Sequence, residues 1–134
     1  MEHEYKLIMN SSQARTVLKA VELLMRLKIN QPKEIIWDVM DTETNRKDPE
    51  FYEHRESAEK LLEQAFNQMF AFKLSYPRLT YVDWKDAEWY RLYNTYQVIR
   101  HALHDAENPE GDGIDKEEPI QFTEDEPLPG IEWR

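Results

Sequence analysis

The chain contains no cysteine, which excludes disulfides, thiolate zinc centres and a cysteine nucleophile together. Glycine is nearly as scarce. The three present, Gly111, Gly113 and Gly130, all lie near the C-terminus. The stretch before them cannot hold a G-x-G-x-x-G or G-x-x-x-x-G-K-[ST] loop, because both need glycine for tight turns and close backbone approach to phosphate. Nucleotide binding by side chains is not excluded on this ground. No run of about 18 apolar residues occurs, so no membrane span is expected. The start, MEHEYKLIMN, is acidic and lacks the basic opening and long apolar stretch of a signal peptide, which makes the cytoplasm the expected location.

What is present begins with rings: five Phe, four Trp and seven Tyr in 134 residues. These can supply the burial that offsets chain entropy, so a folded single domain is expected. The net charge of -10 is unevenly distributed. Residues 105–134 carry two Lys or Arg against 11 Asp or Glu, whereas residues 1–104 carry 15 against 16. The acidity therefore belongs to the tail. Such a tail disfavours direct nucleic-acid or anionic-membrane binding and leaves the near-neutral body able to host an anion pocket.

Along the chain, His3–Asn10 alternates apolar and polar residues and predicts a short strand, after which Ser11 and Ser12 offer an N-cap. Ala14, Val17, Leu18, Val21, Leu24 and Met25 recur at helical spacing. Asn30 suits the stop of this helix, and Gln31-Pro32 restarts a shorter one carrying Ile35, Ile36, Val39 and Met40. Residues 41–47 read as a polar, mobile linker. Asp48-Pro49 then opens a long helix with Phe51, Tyr52, Ala58, Leu61, Leu62, Ala65, Phe66, Met69 and Phe70 as its apolar positions, which with the first helix is expected to build most of the core. Pro77 interrupts the helical period between Lys73 and Val82.

An aromatic helix follows, capped by Asp83 or Asp86 and ending near Asn108-Pro109. Trp89, Leu92, Tyr93, Tyr96, Ile99 and Leu103 form its expected core stripe. The tail is rich in Pro, Gly and acid, a disordered composition. Within it, however, Ile120-Gln121-Phe122 and Ile131-Glu132-Trp133 alternate as strands do. The expected fold is thus α+β and mainly helical. It comprises a bundle of three to four helices with a small sheet formed by the N-terminal strand and the C-terminal segments. The body covers residues 1–108, and an acidic tail, 109–134, is strapped onto it.

The aromatic helix and its approach crowd rings beside cations. Rings stack on bases, and an arginine can fork onto a phosphate. Aromatics at helical spacing more often fill the core, so the ligand-binding candidates are the residues off the main stripe: Trp84, Tyr90, Asn94, Gln97, Arg100 and His101. His101, His104 and Asp105 form H-x-x-H-D, but histidines in a last helical turn also answer the helix dipole, and no metal site is expected. Asn108, Glu110, Asp112, Gly113 and Asp115 faintly follow calcium-loop spacing, with Pro119 standing where the bidentate acid is required. No catalytic signature stands out. Paired acids such as Glu50 and Glu53 suit helix starts, and no serine sits in a nucleophile motif. Neither enzymatic activity nor a cofactor is expected.

The first helix ending RLKINQ, the run Tyr96-Gln97-Val98-Ile99-Arg100-His101, then Asn108-Pro109-Glu110-Gly111 and Glu126-Pro127-Leu128-Pro129, together resemble a family of small phage-encoded proteins, largely uncharacterised. The resemblance implies an accessory protein of the host cytoplasm, in a group that includes anti-defence proteins. Some of these act as sponges that hold ADP-ribose derivatives made by Thoeris-type enzymes without cleaving them. The partners so implied are a small anionic nucleotide, or alternatively a host defence or nucleic-acid-processing protein engaged by the acidic tail. A homo-oligomer is compatible with either.

Overall fold

A computed structural model describes residues 3–70, 87–111 and 116–132. Among these residues there are five helices and no strand: α1 (Ser11–Lys28), α2 (Lys33–Val39), α3 (Glu43–Arg46), α4 (Phe51–Met69) and α5 (Ala87–Glu107). The residues fall into two compact units, one of Met1–Glu22 with Tyr90–Arg134 and the other of Leu23–Trp89.

The start of α1 is fixed one residue earlier than the serines suggest. Asn10 Oδ1 accepts from the Gln13 backbone N–H at 2.9 Å, and Gln13 Oε1 accepts from the Asn10 N–H at 2.9 Å. This reciprocal capping box satisfies two donors that the first turn leaves open. At the other end Asn30 takes a left-handed conformation, φ 59°. Its N–H donates to Leu27 O at 3.2 Å, and the Gln31 N–H reaches back to Arg26 O at 2.8 Å. That pair of bonds is a Schellman stop, which asparagine tolerates better than most residues. Arg26 Nη1 also donates to Gln31 Oε1 at 2.7 Å and ties the turn to the helix it ends.

Within the unit Leu23–Trp89, α2 and α3 pack against α4. Met25, Ile36 and Phe51 are buried there, as is Pro32 at the head of α2. Trp89 Nε1 donates to Met25 O at 3.4 Å, and Lys28 pairs with Glu88 at 2.9 Å. Residues 41–47, expected to be a polar, mobile linker, contain α3. Thr42 Oγ1 accepts from the Asn45 N–H at 3.1 Å, and Asp41 pairs with both Arg46 and Arg55. The linker reading weighed only apolar anchors and missed these polar ones. The Arg46 hydrogen bond is the main cause that holds the Asp41 carboxyl below its ordinary pKa. On α4, Tyr52, Leu61 and Met69 are exposed, so its described part contributes less to a core than its apolar count suggests.

In the unit of Met1–Glu22 with Tyr90–Arg134, Val98 and Ile99 of α5 are buried together with Asn94, Gln97 and His104. Arg15 of α1 pairs with Glu107 at the end of α5. The small sheet expected from the sequence is absent among the described residues. His3–Asn10 forms no strand, and Tyr5, Leu7 and Ile8 are exposed. Residues 117–132 form none either, because the backbone of Ile120 and Phe122 is paired with side chains of α5 instead of with another strand. Trp133, and the capping candidates Asp83 and Asp86, lie outside the described residues.

Candidate functional site

One face of α5 carries Tyr90, Asn94 and Gln97, and the tail lies along it. Gln97 Nε2 donates to Ile120 O at 3.0 Å while Gln97 Oε1 accepts from the Ile120 N–H at 3.1 Å. One turn earlier, Asn94 Oδ1 accepts from the Phe122 N–H at 3.1 Å, and Asn94 Nδ2 donates to Thr123 Oγ1 at 2.9 Å. Three residues of a helix rise about 4.5 Å and alternate residues of an extended chain about 6.6 Å, a difference small against the reach of the two side chains, so two amides three residues apart can meet residues 120 and 122. Asn94 and Gln97 are 2% and 6% exposed. Buried amides are costly unless satisfied, and the tail supplies partners to both.

Ring contacts lie beside the amides. Phe122 stacks on Tyr90 with centroids 6.3 Å apart and planes 6° apart, and meets Tyr93 edge-on at 5.1 Å. Tyr93 stacks in turn with Tyr96 at 6.5 Å. Past the aromatic pair, Arg91 donates from Nε to both carboxylate oxygens of Glu126, at 2.8 and 2.6 Å, and also from Nη2. This forked hydrogen bond is what chiefly holds the Glu126 carboxyl below its ordinary pKa of 4.5. Thr123 Oγ1 donates to Glu126 O and closes the bend between the two anchor points.

Toward the C-terminal end of α5 the surface changes character. Arg100 lies over the Tyr96 ring, 5.0 Å from its centroid, a cation–π arrangement. His101 Nε2 is 3.3 Å from Asp105 Oδ2, and His104 Nδ1 is 3.6 Å from Asp105 Oδ1. The other ring nitrogen of His104 lies 3.2 Å from Gly111 O. A carbonyl can only accept, so this contact assigns the proton to Nε2. Both imidazoles face one carboxylate and do not converge with it on a common point. Among the described residues no three His, Asp or Glu groups are placed to hold a metal ion. His101 and Asp105 also edge a cleft of about 250 Å³ whose opposite side is Pro119, Leu128, Pro129 and Ile131 of the tail.

Of the residues singled out in the sequence, Tyr90, Asn94 and Gln97 come together under the tail, and Arg100 and His101 follow on the next turn. Trp84 lies outside the described residues, as do Asp112, Gly113 and Asp115 of the calcium-like spacing. Sequence reasoning did not single out Arg91 and Glu126. Their opposite charges 35 residues apart carry no local signal that would pair them.

Comparison with family models, with curated proteins and with solved structures gives no match. Among the described residues no helix is long and apolar enough to cross a membrane.

Proposed function

We propose that this chain is a non-catalytic binding protein that sequesters a small nucleotide-derived immune signal of the ADP-ribose kind, as a phage accessory protein acting against host defence. The phage setting rests on the resemblance of the motifs around Tyr96–His101 and Glu126–Pro129. The ligand class is supported by one observation. The face of α5 already holds a flat ring and a donor–acceptor edge side by side, the ring being Phe122 on Tyr90 and the edge being the N–H and C=O of Ile120 on Gln97.

An adenine offers the same two features. Its face stacks on aromatic rings for about 1–3 kcal/mol, and its N6/N7 edge pairs with a glutamine amide through two hydrogen bonds. Arg100, one turn on from Tyr96, would meet phosphate oxygens. His101, beside it in sequence, would meet them too. Binding on this face requires the tail to leave. Ile120 and Phe122 are 63% and 45% exposed in the attached tail.

The test is calorimetry of the full chain against ADP-ribose and its cyclic isomers, followed by recovery of the ligand after heating. The expected result is saturable binding, release of the ligand unchanged, and an affinity about tenfold lower in Arg100→Ala. Absence of binding to every one of these nucleotides refutes the reading, and release of a cleaved product refutes its non-catalytic part.

A second reading, inhibition of a host defence or nucleic-acid-processing protein through the acidic tail, is favoured by a different observation. Glu117, Glu118, Glu124 and Asp125 are exposed on a backbone that Asn94 and Gln97 hold in place. Charges on an anchored backbone can match a basic surface in register, which a freely moving tail cannot. Inhibition of a host nuclease that survives replacement of these four acids by their amides would refute it.

A further inference from the structure

The unit Leu23–Trp89 contains a cleft of about 380 Å³ between the head of α2 and one face of α4. Trp37 lies at its edge, 49% exposed. Glu34 precedes it by one turn of α2, and across the gap Glu59, Glu63 and Asn67 follow one another at four-residue spacing along α4. That spacing places all three on one face of the helix. Glu59 is tied to Arg55 at 3.3 Å. Glu34 and Glu63 have no ion-pair partner among the described residues, and Lys33 is the one cation among the described residues that line the cleft.

The rim is built before any ligand arrives. The left-handed Asn30, the Schellman bonds and the Arg26–Gln31 contact set the turn that leads into buried Pro32. Carboxylates only accept hydrogen bonds, and an indole face attracts positive charge that carries an apolar body. A strongly hydrated metal ion has no use for the indole, whereas an alkylammonium or a guanidinium can stack on it while donating to the acids.

We infer that this cleft is a binding site for an organic cation, an alkylammonium or guanidinium group that stacks on Trp37 and donates to Glu63 and Glu34. It is independent of the reading given for α5. The same chemistry comes from a free polyamine or from a Lys or Arg side chain of a partner protein.

The experiment titrates the full chain with spermidine and, separately, with an arginine-containing peptide blocked at both ends, at physiological salt. Heteronuclear NMR is the readout. Saturable shifts of the Trp37 indole N–H with either probe are the expected result, spermidine alone indicating a free amine and the peptide alone a partner's side chain. Glu63→Gln and Trp37→Ala should each weaken binding by about fivefold or more. Trp37→Phe should fall between wild type and Trp37→Ala, and Glu4→Gln, away from the cleft, should change nothing. An unchanged helical circular dichroism spectrum shows that each variant is folded. Binding that all variants share equally, or shifts that do not saturate with either probe, overturns the inference.

Discussion

Gln97 holds Ile120 as a neighbouring strand would. It donates to the carbonyl at 3.0 Å and accepts from the N–H at 3.1 Å, so one side-chain amide exchanges both bonds with one residue. In an antiparallel ladder the same exchange is made by a second backbone.

Replacing Gln97 by alanine removes both bonds at once. The loss should lower stability by about 1–3 kcal/mol, read from the denaturation midpoint at constant slope. Residues 117–132 should become the first site of limited proteolysis. A tail that stays equally protected in Gln97→Ala would show that the amide does not anchor it.

The Arg91–Glu126 fork makes tail attachment sensitive to acid. Its hydrogen bond depresses the Glu126 pKa in the folded chain, so the folded state binds fewer protons than the unfolded one just below the ordinary value of 4.5. The contribution is therefore complete above that value and is lost as pH falls through the lower, folded one. Glu126 is partly solvated, so the effect is on local opening more than on global stability. Amide exchange in residues 120–126 should accelerate in acid after correction for intrinsic rates, and Glu126→Gln should flatten this dependence.

Asn30 carries the one left-handed backbone among the described non-glycine residues. Asn30→Gly should be neutral or slightly stabilising, whereas a β-branched residue there should cost about 1–2 kcal/mol. Thermal unfolding of Asn30→Gly and Asn30→Val checks both, and equal melting temperatures would contradict the assignment.

Asn10→Ala breaks the capping box with Gln13. A loss of about 1 kcal/mol is expected, with faster amide exchange confined to the first turn of α1. Asn10→Asp should retain most of the stability, since its carboxylate still accepts from the Gln13 N–H and suits the positive end of the helix dipole.

The four longer helices were legible because burial imposes a period, whereas α3, with no buried residue, left none to read. Asn30 was legible as a stop because few residues tolerate its conformation. The sheet was misread for a physical reason: alternation at Ile120 and Phe122 reports an extended backbone but not what that backbone bonds to. Here the partners are Asn94 and Gln97, polar residues that an apolar period treats as surface, although they are among the most buried of the described residues. Of the six residues marked as off the stripe, Tyr90, Asn94 and Gln97 meet the tail, which also meets Tyr93 of the stripe itself. The cleft beside Trp37 leaves little trace in the sequence. The spacing of Glu59, Glu63 and Asn67 along one helix was the signal available, but their meeting with Trp37 depends on how α2 returns to α4.

The amide hydrogen bonds to residues 120 and 122 are made to main-chain atoms alone, while Phe122 also sets its ring on Tyr90. The hydrogen bonds are indifferent to the side chain at 120, and proline, lacking the N–H, is the residue they cannot accept at either position. Ile120 and the acidic positions beside the anchor points could therefore be rewritten wholesale while the mount stays the same. A foreign peptide grafted over residues 117–121 without proline at 120 would be displayed in an extended, readable form, which makes this helix a ready carrier for presenting short sequences.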